Sequence, residues 1–312
     1  ASSPSPARGG GLGWGPRCRE SIRSAILRGL ARCVMPAVLA LVVAPAQAQP
    51  LPAPETTRID LPLGDGAAIT AHWYPLSGEA RRPAVIALHG CGGLFNRDGS
   101  RFDARYPDYI ARLHAAGFHV LLPDSFTARG SGAICNQKNA ERVIRVETRR
   151  ADVRAAVQWL ATRPQVDAQR IVLLGWSHGA MTTLAAINAA RADAAQPVAA
   201  AVVFYPGCSA LLRQDFRLAQ PLLMLLGAAD DWTPPARCEQ LVARTRAAQP
   251  AADITLRVYA DAYHGFDGRG PLRFRADVPN GVDAAGVHVG GQPAARAAAL
   301  DELDRFLSRI RQ

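Results

Sequence analysis

Short apolar runs alternate with longer amphipathic segments along most of this chain. Two stretches of alternating polarity, TTRIDLPL and AAITAHWYP, bracket a Gly-Asp-Gly turn and predict a β-hairpin. The continuous apolar runs that follow predict strands buried on both faces: AVIALHG, FHVLLPD, RIVLLGWS, VAAAVVFYPG, PLLMLLGAAD and ITLRVYADAYHG. Helices are predicted near 103–116, 141–163 and 178–191, from TPPARCEQLVART, and at PAARAAALDELDRFLSRI.

This alternation of strands and helices predicts the fold class. No repeat or linker divides the chain, so we expect one doubly wound α/β domain. Its mostly parallel sheet should carry helices on both faces and an antiparallel hairpin at the N-terminal edge. In such sheets the ligand site lies beyond the carboxyl ends of the strands, which is where residues with chemical roles are expected.

The first 48 residues have a different composition. They hold six arginines and one glutamate, or +5 of the net charge of +10. A disordered lead, an arginine-bearing stretch to Arg32, an apolar core from Val34 to Val43 and the small-x-small site AQA at 46–48 predict an export signal. The apolar core is too short to span a bilayer, although an uncleaved amphipathic anchor is the alternative. We therefore expect residues 49–312 to form a single periplasmic or secreted domain without stable membrane insertion.

The rest of the chain shows no cluster of basic residues, which argues against a nucleic-acid partner. An even number of cysteines in an exported chain favours disulfides, and four cysteines allow three pairings. Those beyond residue 48 are Cys91, Cys135, Cys208 and Cys238. Their spacing matches no zinc motif, and the sequence implies neither a metal nor an organic cofactor.

A candidate nucleophile lies in LLGWSHGAMTT, residues 173–183. The segment contains G-x-S-x-G with a predicted strand before it and a predicted helix after it, which is the context that a nucleophile elbow requires. Ser177 is then presented above the edge of the sheet. The alternative is a serine that only caps the helix.

A serine hydroxyl needs a base to take its proton, and several histidines compete for that role. In hydrolases of this type the order along the chain is serine, acid, histidine, with the histidine on a loop after the last strand. His264 in ADAYHGFD fits that place, and His288 in GVHVGG is the alternative. The acid should end the preceding strand, where Asp230 is favoured over Asp231, which would cap the helix or line the pocket.

The glycine-rich segment LHGCGG, residues 88–93, ends a predicted strand and predicts an oxyanion loop. We expect one N–H donor from His178 and the other from Cys91, with Gly92 as the alternative. His89 is expected to shape the loop rather than to act as the base. A phosphate loop is the competing interpretation, but the segment lacks both nucleotide-binding patterns.

Seven segments between residue 83 and about residue 310 match the pattern of a known family: LHGCGGLF, LLPDSF, LLGWSHGA, FYPGCSA, GAADDWTPPARC, YADAYHGFD and HVGGQPAARAAAL. Together they resemble the dienelactone hydrolase family of α/β-hydrolases. The resemblance implies an α/β-hydrolase fold with a triad of Ser177, Asp230 and His264. The founding enzymes use a cysteine nucleophile and a glutamate in the oxyanion loop, where this chain has Ser177 and Gly90. Serine versions of the family look like general esterases.

A long connection, residues 125–143, is expected to lie over the mouth of the site. In that arrangement we expect two disulfides, Cys91–Cys135 and Cys208–Cys238. Aromatic residues near strand ends are candidate pocket walls, with ordinary core packing as the alternative: Trp176, Trp232, Phe126 and Tyr205.

These features predict an exported serine hydrolase that cleaves a small carboxylic ester or lactone through an acyl-enzyme. A peptidase or amidase of the same fold is the first alternative. A binding protein with a hydrolase fold and no turnover is the second.

Overall fold

The computed structural model describes residues 55–60, 67–191 and 198–311, which all belong to one compact unit, Pro50–Gln312. The predicted lead and signal, and the Gly-Asp-Gly turn of the hairpin, lie outside the described residues. The strands are β1 Glu55–Asp60, β2 Ala68–Tyr74, β3 Arg82–Leu88, β4 His119–Pro123, β5 Val166–Trp176, β6 Ala200–Phe204, β7 Leu222–Gly227, β8 Ile254–Tyr259, β9 Arg273–Arg275 and β10 Val287–Val289. The helices are α1 Arg105–Ala115, α2 Val146–Ala161, α3 His178–Ala186, α4 Pro235–Ala248 and α5 Pro293–Arg311.

Eight of these strands form one sheet in the order β1-β2-β4-β3-β5-β6-β7-β8. β1 pairs antiparallel with β2, and β2 pairs antiparallel with β4. The remaining strands, β4, β3, β5, β6, β7 and β8 in the order of the sheet, are parallel to one another. The predicted α/β fold is therefore confirmed, including the antiparallel hairpin at one edge of the sheet.

The helices cover both faces of this sheet. On one face α2, α3 and α4 bury residues such as Val153, Leu184 and Leu241 against the strands. On the other face α1 and α5 do the same, with Ile110 and Leu303 among the buried residues. This arrangement explains why the central strands read as continuous apolar runs, since alternate side chains enter opposite cores and neither face meets water.

Two helices are shorter than predicted. α3 ends at Ala186, and the side chain of Asn188 then accepts the N–H groups of Ala190 at 3.1 Å and Arg217 at 3.0 Å. α2 begins at Val146 after Arg145, whose backbone is extended. Residues 141–145 therefore belong to the connection over the site instead of to a helix.

The structure also contains elements without a sequence signal. The strands β9 and β10 pair antiparallel in a second, two-stranded sheet, and each is only three residues long. His264 bridges to Val289 of β10, so this small sheet lies beside the loop that follows β8. No helix among the described residues is long and apolar enough to cross a bilayer.

Two disulfides connect the loops at the carboxyl edge of the sheet. Cys91 is bonded to Cys135 and Cys208 to Cys238, which are the pairs named in the sequence analysis. The first joins the loop after β3 to the long connection before α2. The second joins the segment after β6 to the first turns of α4.

Removing the second disulfide with Cys208→Ala and Cys238→Ala should lower the free energy of unfolding by about 4 kcal/mol. The bond spans 30 residues of sequence, and its loss increases the conformational entropy of the unfolded chain. Urea unfolding of the oxidised wild type and the double variant measures the difference. Equal free energies of unfolding would show that the bond adds no stability.

Candidate active site

The turn between β5 and α3 holds Ser177 in a strained backbone conformation. Its φ of 51° and ψ of −114° lie in a region that residues other than glycine rarely adopt. The flanking glycines make the turn possible. A Cβ at Gly175 would lie 2.5 Å from the carbonyl oxygen of Gly179, and a Cβ at Gly179 would lie 2.0 Å from that of Leu88. The G-x-S-x-G pattern therefore reflects the close approach of α3 to β5 and β3.

Ser177, His264 and Asp230 form a continuous chain of hydrogen-bond contacts. His264 Nε2 lies 2.9 Å from Ser177 Oγ, and His264 Nδ1 lies 2.8 Å from Asp230 Oδ2. A carboxylate only accepts, so this pairing favours a proton on Nδ1 and leaves Nε2 able to accept the serine proton. The three side chains are buried and follow β5, β7 and β8 at the carboxyl edge of the sheet.

Asp230 is held by two residues of the segment between β7 and α4. Its Oδ1 accepts the backbone N–H groups of Trp232 at 2.9 Å and Thr233 at 2.8 Å. The Thr233 hydroxyl lies 3.0 Å from Asp230 Oδ2 and 3.1 Å from His264 Nδ1. Thr233 thus contacts the carboxylate and the imidazole together. The sequence analysis missed it, although an aspartate three residues before a threonine at a helix start is a readable turn signal.

Aromatic rings fix the plane of the His264 imidazole. The ring centroids of Tyr205 and Trp232 each lie 4.5 Å from that of His264. Tyr205 has a φ of 40°, a second strained residue at the carboxyl edge of the sheet. The imidazole can therefore turn little without displacing one of these two rings.

The loop after β3 is shaped by His89, as its position in the sequence suggests. His89 Nδ1 lies 2.8 Å from the carbonyl oxygen of Gly90, and its Nε2 accepts the N–H of Ser125 at 3.2 Å. Burial, and then the nearby positive charge of Arg149, hold the pKa of His89 well below its usual range. The ring is therefore neutral, with its proton on Nδ1, and it connects the loop to the segment after β4.

Cys91 lines the same cleft as Ser177, whereas Gly92 lines a neighbouring cavity. The disulfide to Cys135 and the hydrogen bond from the Ile134 N–H to the Cys91 carbonyl oxygen, 2.8 Å, fix this part of the loop. Of the two candidate donors after His89, Cys91 is therefore the one that borders the cleft.

The ring of His178 is held by Arg149 and not by Ser177. Its Nδ1 accepts a hydrogen bond from Arg149 Nη1 at 3.0 Å, and burial followed by the Arg149 charge holds its pKa well below the usual range. A ring held in this way is not available as a base for Ser177. As the first residue of α3, His178 has a backbone N–H without an acceptor inside the helix.

The cleft beside Ser177 has a volume of about 260 Å³. Its wall includes Trp232 and Met181 together with the backbone of Gly207. The residues that line it include no carboxylate but several polar or cationic side chains: Asn139, Arg142, Ser209, Arg213, Arg237 and Asn280. The connection predicted to cover the site supplies two of these, Asn139 and Arg142.

Three of the four aromatic residues predicted as pocket walls do not line this cleft. Trp176, Phe126 and Tyr205 are each at most 1 % exposed. Trp176 and Tyr205 donate hydrogen bonds to the buried carboxylate of Asp267, and Phe126 packs edge-on against the His89 ring. These three predictions were wrong because the end of a strand still has an inner face, and that face contributes to the core.

Asp231 and His288, the alternatives for acid and base, contact each other instead of Ser177. His288 Nδ1 lies 2.7 Å from Asp231 Oδ2, and the His288 N–H donates to Asp231 Oδ1 at 2.9 Å. The pair joins the segment after β7 to β10. Among residues 67–191 and 198–311 no group of three or more His, Cys, Asp or Glu side chains is arranged to hold a metal ion.

Comparison with known proteins identifies the family to which the chain belongs. The model of the dienelactone hydrolase family matches residues 71–309. The chain belongs to the dienelactone hydrolase family. The match begins within β2 and ends within α5, so it includes every strand and helix of the described fold except β1.

Individual relatives of this family member are distant. An uncharacterised protein of Mycobacterium tuberculosis strain H37Rv is 28% identical over 202 residues, 60% of this chain and 65% of the relative, so the chain spans 65% of that protein's length. A propionate-bound esterase from Thermogutta terrifontis matches 83% of this chain and 95% of its own, at 18% identity and a TM-score of 0.58. A dienelactone hydrolase-like promiscuous phosphotriesterase from metagenomic libraries matches 83% and 99%, at 16% identity and a TM-score of 0.56. The two structures share the fold.

The buried neutral histidines should make the stability of this family member depend on pH. His89 and His178 have lowered pKa values in the folded state, whereas in the unfolded chain each titrates near pH 6.5. Below about pH 6.5 the unfolded state binds more protons, so the free energy of unfolding falls as the pH falls, by up to about 1.4 kcal/mol per pH unit for each histidine.

Urea unfolding between pH 5.5 and 7.5 measures this slope. The variant His178→Gln keeps an acceptor for Arg149 and removes one titrating ring, so its slope should be smaller by the contribution of one histidine. An unchanged slope in this variant would show that His178 has the same pKa in the folded and the unfolded protein.

Proposed function

We propose that this protein is a serine hydrolase that cleaves a small carboxylic ester or lactone through an acyl-enzyme intermediate. The observation that supports this most is the contact of Ser177 Oγ with His264 Nε2 at 2.9 Å, continued from His264 Nδ1 to Asp230 at 2.8 Å. The chain of contacts ends at a serine that borders a cleft. That cleft, about 260 Å³, is below the usual range for sites of drug-sized ligands, which favours a small substrate.

In the first half of the reaction Ser177 Oγ attacks the carbonyl carbon of the ester. His264 Nε2 takes the serine proton, and Asp230 stabilises the imidazolium that results. The carbonyl oxygen becomes an oxyanion that accepts the N–H groups of His178 and Cys91. When the tetrahedral intermediate collapses, His264 returns the proton to the leaving alcohol and the acyl group remains on Ser177.

In the second half a water molecule replaces the alcohol. His264 Nε2 takes a proton from this water, and the water oxygen attacks the acyl carbon. The carbonyl oxygen again becomes an oxyanion bound by the same two N–H groups. Collapse of the second tetrahedral intermediate releases the carboxylic acid and returns the proton to Ser177. The neutral ring of His178, occupied by Arg149, leaves His264 as the base for both steps.

We also propose that the chain is exported, with residues 1–48 as lead and signal and residues 49–312 as the mature domain. The sequence pattern of the first segment supports this. The two disulfides support it as well, because such bonds persist in oxidising compartments such as the periplasm.

Replacing the nucleophile tests the central step. Ser177→Ala should abolish labelling by a fluorophosphonate probe and should lower turnover of p-nitrophenyl butyrate by at least about 1,000-fold. Ser308→Ala is the matched control, since Ser308 is an exposed serine on α5 that does not line the cleft, and it should keep both properties. Absence of labelling and of ester turnover in the wild type would falsify the proposed function.

A comparison of leaving groups distinguishes an esterase from a peptidase or amidase. The wild type should hydrolyse p-nitrophenyl butyrate at a higher kcat/KM than the matching p-nitroanilide, since an anilide is the harder bond to cleave. The same active-site titre measured with the fluorophosphonate serves both assays. A preference for the anilide would assign the site to amide cleavage instead.

The hydroxyl of Thr233 should contribute to the rate through the alignment of Asp230 and His264. Thr233→Val removes the group 3.0 Å from Asp230 Oδ2 and 3.1 Å from His264 Nδ1, and kcat for p-nitrophenyl butyrate should fall about tenfold. The control is Thr245→Val, which removes a buried hydroxyl that donates to Leu241 within α4. Equal kcat values for the two variants would contradict a role for Thr233.

A further inference from the structure

A buried arginine lies behind the turn that carries the nucleophile. Arg149, in the first turn of α2, has no exposed surface. Its Nη1 donates to His178 Nδ1 at 3.0 Å, and its guanidinium carbon lies 5.3 Å from the ring centroid of Phe126. We assign the backbone N–H of His178 to the oxyanion. Arg149 therefore contacts the side chain of a residue that forms the proposed oxyanion site.

This arginine has no carboxylate partner of its own among the described residues. Asp152, one turn further along α2, accepts two hydrogen bonds from Arg129, at 2.7 and 2.9 Å. Asp124 accepts backbone N–H groups of the two residues at 126 and 127. Nε and Nη2 of Arg149 find no hydrogen-bond acceptor in the described part of the chain. A buried cation without a hydrogen-bonded carboxylate is costly even though the negative charges of Asp152 and Asp124 favour it, and an apolar side chain of similar length would be the more stable choice for packing alone.

The two histidine rings near Arg149 are neutral, so the positive charge in this region is on the guanidinium. His178, and His89 in the loop that carries Cys91, have pKa values held well below the usual range, by burial first and then by Arg149. Burial lowers the pKa of Arg149 to about 10, which leaves the guanidinium charged at neutral pH. Arg142, at the wall of the cleft, is a second cation whose charge lowers the pKa of His178.

We propose that Arg149 is a positioning residue for the oxyanion: it orients His178, and its buried positive charge favours negative charge at the first N–H of α3. This inference rests on the proposed serine-hydrolase function. A preorganised charge in a site from which water is excluded stabilises the transition state more than the neutral ester, because only the transition state carries the negative charge. The role therefore concerns kcat and leaves substrate binding largely unchanged.

The test separates the charge of Arg149 from its hydrogen bond. Arg149→Gln keeps a donor for His178 and loses the charge, and Arg149→Lys keeps the charge. With p-nitrophenyl butyrate we expect the glutamine variant to lose about 10- to 100-fold in kcat with KM changed less than about threefold. We expect the lysine variant to stay within about fivefold of the wild type. Affinity for an alkyl trifluoromethyl ketone, which forms an oxyanion on Ser177, should fall in parallel with kcat/KM.

Val153→Ala is the control for general destabilisation, since Val153 is buried on α2 one turn from Arg149 and carries no charge. It should lower the thermal midpoint and leave kcat and ketone affinity unchanged. Wild-type kcat and ketone affinity in the glutamine variant would overturn the proposal, as would equal losses in the glutamine and lysine variants. Failure of both variants to fold would assign Arg149 to structure alone and reject the proposal. A wild type without ester turnover or labelling would instead reject the proposed function, and this inference with it.

Discussion

The contact between Gly179 and the carbonyl oxygen of Leu88 is the constraint on which the site depends. A Cβ at position 179 would lie 2.0 Å from that oxygen, so only glycine lets α3 begin this close to the end of β3. Ser177 lies just before this point on α3, and the loop with Cys91 follows directly after Leu88. Ser177 and the loop proposed to bind the oxyanion are therefore fixed to each other by backbone packing.

Behind this contact, the buried carboxylate of Asp267 connects the remaining parts of the site. It accepts hydrogen bonds from Trp176 Nε1 and Tyr109 Oη, both at 2.9 Å, and from the hydroxyl of Tyr205, and it pairs with Arg105 at 3.3 Å. Trp176 precedes Ser177, Tyr205 faces the His264 ring, and Asp267 itself follows His264 by three residues. A carboxylate is stable in this interior because its donors replace the lost water. The same hydrogen bonds join the residues next to Ser177 and His264 into one rigid support.

The sequence predicted the strands and the residues at their ends because both depend on local signals. Buried parallel strands read as apolar runs, and the candidate site residues follow them, as Ser177 and His264 do. The supporting contacts could not be predicted in the same way. Asp267 acts through partners up to 162 residues distant in sequence, and β9 and β10 are too short to show a period. Which face of a strand end meets the cleft is also set by packing, and for this reason Trp176 belongs to the core.

The charges around the site are divided in the direction that the proposed reaction requires. The transition state of ester cleavage places positive charge on the imidazole and negative charge on the carbonyl oxygen. The carboxylate of Asp230 lies against His264 at 2.8 Å, and the guanidinium of Arg149 lies against the ring of His178, the residue after Ser177, at 3.0 Å. Both charged groups are buried, so water screens their fields little. Because both are fixed before substrate binds, little reorganisation is needed when the two opposite charges develop.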